Sequence, residues 1–335
     1  HPVDRRQRQM CIRDSMCPIP IMVTLVLCSL ADDASVNLRN ALQEYSSWTK
    51  PEIFNHGKVS KSINSDVHLL SIEQIHVDAD SIDKAHEREL NCTVDEVLVL
   101  SRHVSSTDTP AITLHAIGLP GVIPEGEKGM AGGINGVLVP PSPRFATIFR
   151  EMLVEARKRK LDDHFDLTLE ATHHGPVLET PTLYLEIGST EADWSRDDAL
   201  NLWAYLLSKI LGLKDGIQMG LWEGDGEVMI GLGGGHYSPR HRAVLEEGDM
   251  WLGHIIASYS LDFSESESLE DDETNHPWQK TILSAVSSTK KSFPGGQIFV
   301  HMDRKSFKGR QRKKVESFLS ERGIQLRRGK DITGG

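Results

Sequence analysis

The sequence contains few cysteines for its length, with four among 335 residues and three of these within the first 28. No C-x-x-C pair exists, which excludes a cysteine zinc site and argues against a disulfide framework. A reducing compartment is therefore expected, with the cytoplasm as the first choice and the nucleus as an alternative. No apolar run approaches the roughly 20 residues that a bilayer-spanning helix requires, so no membrane contact is expected.

Familiar catalytic and nucleotide-binding signatures are also missing. The chain contains no G-x-x-x-x-G-K-[ST] or G-x-G-x-x-G loop, no H-E-x-x-H helix and no G-x-S-x-G elbow. The net charge of −11 argues against a protein that coats nucleic acid over its whole surface, and no DNA partner is expected. One dense basic stretch, residues 304–314, is either a solvated helix face or a local contact surface.

The two least regular segments lie at the start of the chain and near residue 270. Residues 1–21 carry four arginines ahead of an apolar run, superficially like a secretory signal. Residues 22–29 are better explained as a buried first strand, so that 1–21 is a non-native or disordered leader and 22–335 forms a single domain. The acidic, serine-rich stretch at about 263–275 is predicted to be mobile.

Strand and helix patterns alternate along the chain, which predicts a layered α/β fold. A cap and first-turn proline at 142–143 predict a helix directly behind them. The predicted strands are 23–29, 67–72, 96–100, 112–117, 165–171, 183–187, 228–232 and 297–300, and the clearest further helices are 195–211, 277–291 and 306–321.

Histidines follow several predicted strands. His103, the pair His173 and His174, His236 and His301 each come directly after one. Because ligands in open α/β sheets bind beyond the carboxyl ends of strands, this shared position favours a site over scattered structural histidines. Imidazole serves both metal ligation and proton transfer. Adjacent side chains on an extended backbone point apart, so only one of the paired histidines would reach a given site unless the strand has ended.

Two further segments add polar groups to this picture. Glu186 precedes a turn with Ser189 and Thr190, which could equally be ordinary helix caps. The glycine-rich segment 231–240 contains His236, Tyr237 and Arg240, and its glycines would allow close backbone approach to a ligand. His, Glu, Ser/Thr and Arg without a serine triad fit zinc-assisted hydrolysis, or metal-free hydrolysis by backbone donors. Spacing does not choose between these two mechanisms.

Several longer motifs occur in order from about residue 22 to the end. They are SRH at 101–103, LHAIG around His115, the pair Gly132 and Gly133 before PSP at 141–143, THHGP at 172–176, EIGSTE at 186–191 with Trp194, GGGHYSPR at 233–240, GH at 253–254, and HMDRKSFKG at 301–309. In these motifs the chain resembles the archaeal and plant-type D-aminoacyl-tRNA deacylases, and its tail looks like the plant-type branch. Ser238 stands where many relatives have Ala.

The resemblance implies hydrolysis of the ester between a D-amino acid and the 3′ end of tRNA, including aldehyde-modified forms. It implies a zinc-dependent monomer with a phosphorylase/hydrolase-like fold, three α/β/α layers around a mixed sheet with a smaller α+β insertion. The implied catalytic residues are His103, His173, His174, Glu186 and His236, with zinc held by His103, His174, Glu186 and His236. The implied substrate-binding residues are Gly132, Gly133, Gly175, Ser189, Thr190, Gly234, Tyr237 and Arg240.

Under this resemblance Lys308, Arg310 and Lys313 are expected to contact tRNA phosphates. A second mechanism stays open, in which the 2′-hydroxyl of the terminal adenosine assists and backbone groups of glycines discriminate chirality. The alternative functions are a zinc-dependent peptidase or amidase and a non-catalytic tRNA-binding protein.

Overall fold

The computed structural model describes residues 21–121, 124–264 and 276–334. Most of the predicted leader and of the acidic segment therefore lies outside the described residues. The strands are β1 (Met22–Ser29), β2 (Glu52–Phe54), β3 (Gly57–Lys61), β4 (Val67–Ile72), β5 (Thr93–His103), β6 (Ala111–His115), β7 (Asp166–Leu169), β8 (Thr182–Gly188), β9 (Glu227–Leu232), β10 (Trp251–Ile256), β11 (Gln297–Met302) and β12 (Gln325–Arg327). The helices are α1 (Asp33–Tyr45), α2 (Ile82–Leu90), α3 (Phe145–Lys158), α4 (Glu191–Trp194), α5 (Asp197–Ile210), α6 (Pro239–Glu247), α7 (Pro277–Ser292), α8 (Gly309–Glu321) and α9 (Gly329–Thr333).

The larger sheet has eight strands in the order β2-β3-β4-β1-β5-β8-β6-β7. Its centre is parallel, because β1 pairs with β4 and β5 and β5 pairs with β8 in the same direction. β6 runs antiparallel to β8 and is followed by its parallel neighbour β7. The sheet is therefore mixed, and the predicted α/β class is confirmed.

Alternating side chains cover the two faces of this sheet. Val26 and Cys28 of β1 belong to a core cluster with α1, α3 and α5, whereas Leu25 and Leu27 belong to a second cluster. The second cluster includes Ile82 of α2, Ile117 and Val139 from the two ends of the long loop 116–141, and Tyr184 of β8. One face of the sheet thus packs on the three helices α1, α3 and α5. The other face packs on the single helix α2 and on loop segments.

The smaller sheet is parallel and has the order β10-β9-β11-β12. One of its faces packs on α7 and α8, where Ile230 and Val300 meet Trp278 and Phe318. Met229 and Phe299 point to the opposite side and join the core of the larger sheet. The two sheets consequently share buried side chains.

Several predicted boundaries were wrong. The hydroxyl of Ser142 accepts a hydrogen bond from Arg144 N and donates one to Glu96. Ser142 therefore begins a turn over residues 143–144, and α3 begins only at Phe145. The predicted helix 195–211 corresponds to α5, which begins at Asp197, and the short α4 with Thr190 at its N-terminus precedes it. The predicted helix from 306 starts at Gly309. Among the described residues, no helix combines the length and the apolar character required to cross a membrane.

Candidate active site

Strand β8 places Glu186 at the centre of the site. Glu186 lies opposite Ser101 of β5 on one side and Thr113 of β6 on the other. His103 pairs with Gly188 and His115 pairs with Tyr184, each two residues from Glu186 along β8. Because β5 and β6 run in opposite directions, their last residues approach Glu186 from opposite sides. The site therefore lies on a face of the sheet. His173 and His174 follow β7, whose carboxyl end points away from that of β5, so the predicted histidines do not share one edge of the sheet.

The carboxylate of Glu186 joins two of these imidazoles. Its Oε2 lies 3.2 Å from Nδ1 of His103, and its Oε1 lies 3.5 Å from Nε2 of His115. The hydroxyl of Ser101 donates a 2.9 Å hydrogen bond to Oε1. Glu186 is 2% exposed, so this carboxylate is held by buried partners and not by water.

A second buried carboxylate, Glu170, connects His103 to two more imidazoles. Its Oε1 lies 3.1 Å from Nδ1 of His103, and its Oε2 lies 2.9 Å from Nε2 of His236 and 3.4 Å from Nε2 of His173. Glu170 was not among the predicted site residues. The available signal was a carboxylate directly after the apolar strand LTL, three residues before a predicted site histidine.

Both members of the histidine pair take part. Strand β7 ends at Leu169, so His173 and His174 are not on an extended strand, and His174 has φ of +23°. The ring centroid of His115 lies 4.0 Å from that of His173 and 4.8 Å from that of His174. Because the strand has ended before the pair, both His173 and His174 reach the site.

The two carboxylates and the imidazoles shift one another's pKa values. Burial opposes protonation of His103, but its hydrogen bonds with Glu170 and Glu186 raise its pKa to about 11. Burial likewise opposes ionisation of Glu170 and Glu186, yet the adjoining imidazoles hold the pKa of both carboxyls below the ordinary value. Burial lowers the pKa of His174 to about 3. The arrangement therefore holds two ionised carboxylates around a protonated His103, with His174 neutral.

A further buried chain of polar groups lies behind the imidazoles. The hydroxyl of Tyr184 lies 3.1 Å from Nδ1 of His76, whose Nε2 lies 3.0 Å from Oδ2 of Asp32. The ring of Tyr184 contacts the rings of His115 and His174 at centroid distances of 5.0 and 5.5 Å. These three residues were not predicted, because they come from the N-cap of α1, a short 3-10 helix and β8 and share no local motif.

Of the predicted substrate-binding residues, Tyr237 joins the site most directly. Its hydroxyl lies 3.2 Å from Nε2 of His103. Gly132 and Gly175 pack closely beside the histidine pair, since a Cβ on Gly132 would lie 2.2 Å from the carbonyl oxygen of Val77 and 2.9 Å from that of Gly175. Gly133 is close to the same Gly175 oxygen.

Other predicted residues make structural contacts elsewhere. The hydroxyl of Ser189 donates to Thr109 O at 2.7 Å, and the hydroxyl of Thr190 donates to Asp193. Arg240 forms an ion pair with Asp303 at 3.2 Å. Gly234 N donates to the hydroxyl of Ser306. Their roles in substrate binding stay predictions. His301, in β11 of the smaller sheet, lies away from the other predicted histidines, with its Nδ1 atom 2.8 Å from Nδ1 of His241 in α6.

The donor set fits a metal ion. Glu170, His173 and His236 offer ligand atoms within 4.8 Å of one another, and so do His115, His173 and His174. His115 Nε2 and His174 Nδ1 are buried without a hydrogen-bond partner, which is how nitrogen ligands present themselves to an ion. The four predicted zinc ligands do not form one such group among the described residues. The carboxylate of Glu170 lies between His103 and His236 and contacts Nδ1 of His103, so that nitrogen faces a carboxylate and not the other predicted ligands.

The basic segment lies next to the loop that carries His236. Lys308, Arg310 and Lys313 are exposed around the start of α8. Arg310 and Lys313 line a surface cavity of about 440 Å³. The Ser306–Gly234 hydrogen bond of 2.7 Å connects this segment to the glycine-rich loop.

Comparisons with known proteins agree with one another. A family model described as D-aminoacyl-tRNA deacylase matches residues 59–327. The chain is 38% identical over 319 residues to the D-aminoacyl-tRNA deacylase of Arabidopsis thaliana, covering 93% of this chain and all of that protein. It is 29% identical to the Methanosarcina mazei protein of the same name, with 92% of each covered. A crystal structure titled as a conserved protein of unknown function shares the fold, with a TM-score of 0.72, 24% identity, and coverage of 94% of this chain and 98% of that one.

Proposed function

The chain belongs to the D-aminoacyl-tRNA deacylase family, and we propose that it works at the site around Glu170 and Glu186. It is an enzyme that hydrolyses the ester between a D-amino acid and the 3′ end of tRNA, which releases both. The observation that carries the location is the pair of buried carboxylates that share His103. We further propose that it acts as a monomer in the cytoplasm, where its tRNA substrate occurs.

Solvent reaches this site from the side of His236, His173 and Tyr237. The side chains of His236 and His173 are 36% and 23% exposed, whereas those of Glu170 and Glu186 are at most 3% exposed. The substrate ester therefore approaches His236, His173 and Tyr237. The buried carboxylates contact the imidazoles from the side away from solvent.

Tyr237 is oriented as a hydrogen-bond donor to the substrate. His103 carries a proton on each ring nitrogen, and its Nδ1–H is shared by Glu170 and Glu186. Its Nε2–H is then directed at the oxygen of Tyr237, 3.2 Å away. A hydroxyl that accepts this bond has its own hydrogen left to donate, and Tyr237 is exposed. That hydrogen can stabilise the carbonyl oxygen or the departing ribose oxygen.

A zinc ion would be held by Glu170, His173 and His236, which include the solvent-facing imidazoles. When bound, zinc acts as a Lewis acid and lowers the pKa of a coordinated water. The buried Nδ1 atom of His174, which has no hydrogen-bond partner, and the mixture of nitrogen and oxygen donors support this proposal. Glu186 would then hold the orientation of His103 and His115.

The decisive experiment is deacylation of D-Tyr-tRNA and D-Asp-tRNA beside their L counterparts and a peptide panel, with the wild-type chain and Glu170→Gln. We expect release of the D-amino acid by the wild type alone and no peptide cleavage. Peptide cleavage without tRNA deacylation would favour an amidase, and tRNA binding without release would favour a non-catalytic protein.

A further inference from the structure

A second group of imidazoles lies at the opposite end of β5 from the active site. His68 comes from β4, His86 from α2, and Cys92 directly precedes the first residue of β5. His103 is the last residue of that strand, so the two sites are separated by about 30 Å of extended chain. None of these three residues takes part in the function proposed above.

The three side chains point their ligand atoms at a common volume. One nitrogen of each histidine and the sulfur of Cys92 lie within 4.8 Å of one another. His68 Nδ1 and His86 Nε2 are hydrogen-bonded to each other at 2.8 Å, so a bound ion would take the place of the proton between them. His68 and His86 are buried and Cys92 is partly exposed, so an ion could enter from the Cys92 side and water could complete its coordination.

A carboxylate orients the ligands from behind. His86 Nδ1 lies 2.9 Å from Nε2 of His56, and His56 Nδ1 lies 3.3 Å from Oε2 of Glu89. With the Nδ1–H of His86 donated to His56, whose own Nδ1 faces Glu89, the Nε2 atom of His86 carries no hydrogen and faces the common volume. Metal-bound histidines commonly donate their second N–H in this way, to a chain that ends at a carboxylate.

The donor types agree with ligand roles. Both imidazoles are buried, and burial favours the neutral form that can bind a cation. Burial raises the pKa of the Cys92 thiol, and a bound cation would displace its proton. A thiolate with two imidazoles is a soft donor set that suits zinc better than magnesium or calcium.

We propose that His68, His86 and Cys92 form a structural zinc site that is separate from the active site. The sequence predicted no cysteine zinc site because it has no C-x-x-C pair, but the fold brings one cysteine to two histidines. The ion would connect β4, α2 and the start of β5, and so fix α2 on the face of the sheet that carries the active site.

Cobalt titration of the full chain tests this proposal. Co²⁺ bound to a thiolate gives a charge-transfer band in the near ultraviolet, which cobalt at the cysteine-free active site cannot give. The Cys11→Ser/Cys17→Ser background removes the two amino-terminal thiols. We expect a band that saturates at one equivalent, that Zn²⁺ displaces, and that Cys92→Ala abolishes. His56→Asn, which alters only the orienting chain, should weaken binding by about 10–100-fold.

Glu170→Gln is the matched control, since it alters the active site and should leave the band intact. Cys92→Ala should in turn keep deacylation activity, so that failure of either assignment is distinguishable from failure of the other. Absence of the band in the wild-type background would overturn the proposal, even if the variants do not fold. A charge-transfer band that persists in Cys92→Ala would also overturn the proposal, because the thiolate responsible would have to be Cys28.

Discussion

The Nδ1 atom of His103 lies 3.1 Å from Oε1 of Glu170, although one residue ends β5 and the other follows β7. Strands β8 and β6 lie between β5 and β7 in the sheet, so this contact crosses the sheet face over both. It links the Glu186 half of the site to the exposed imidazoles of His173 and His236, and loss of Glu170 would separate these two halves.

Glu170→Gln should lower the rate of D-aminoacyl-tRNA hydrolysis by about 10²–10⁴-fold, the range typical of losing a group that orients proton transfer. The amide cannot supply the charge that holds three imidazoles. The rate of amino acid release at saturating substrate measures this. Glu179→Gln, on an exposed loop glutamate, is the control and should keep the wild-type rate. Near-normal activity of Glu170→Gln would remove Glu170 from the mechanism.

Metal removal should abolish activity, and added Zn²⁺ should restore it. His236→Ala should also lower the bound zinc by one equivalent, measured by elemental analysis, because it deletes one of the three proposed ligands. His164→Ala, an exposed histidine after α3, should change neither quantity. Full activity in rigorously metal-free protein would instead favour the mechanism assisted by the 2′-hydroxyl.

Replacing Lys308, Arg310 and Lys313 together by Ala should weaken tRNA binding and leave hydrolysis of a small D-aminoacyl ester unchanged. Each lost phosphate contact should reduce the slope of log K against log salt by about 0.7–0.9, which amounts to about 2–3 for the triple variant. Binding isotherms at several salt concentrations measure this slope. Lys158, Lys160 and Lys291, also exposed, form a matched triple control. An unchanged slope would contradict the assignment of this surface to tRNA.

Acid should destabilise the fold through His241, which is fully buried and hydrogen-bonded to Gly233 O and His301. Burial lowers its pKa to about 3 from 6.5, so the unfolded chain binds a proton more readily than the folded chain. Its contribution is present above pH 6.5 and is lost as the pH falls towards 3. By pH 5 the free energy of unfolding should fall by about 2 kcal/mol from this group alone.

Urea unfolding at pH 7 and pH 5 measures this loss, and His241→Asn should show a smaller difference between the two pH values. The exposed His164→Asn should behave as the wild type. An equal pH dependence in His241→Asn would show that His241 is not the group responsible.

The sequence predicted most strands of the two sheets because their apolar runs are long and have clear boundaries. It missed β2, β3 and β12, which have only three to five residues each, and also the six-residue β10. It missed the nine-residue helices α2 and α6, each of which buries only three residues. Short elements of this kind are specified by tertiary contacts more than by local pattern.

The site could be predicted in part for a related reason. His103, His173, His174, Glu186, His236 and Tyr237 lie in motifs or after strands, and the fold brings them together. Glu170 was not predicted, because one carboxylate after a strand is not a distinctive signal. The antiparallel direction of β6 was not predicted either, since the hydrophobic pattern of a strand does not encode its direction. That reversal is what brings His115 to Glu186.

The two faces of the larger sheet divide its residues into independent sets. Leu183 and Leu185 of β8 pack towards α1, α3 and α5, while Tyr184 and Glu186, one position along, face the histidines. Substitutions that remodel the helical side can therefore alter thermal resistance without moving the reacting groups. Substitutions at exposed positions of the loop 116–141 can in turn change substrate preference on the opposite face, while the core packed against α1, α3 and α5 is unchanged.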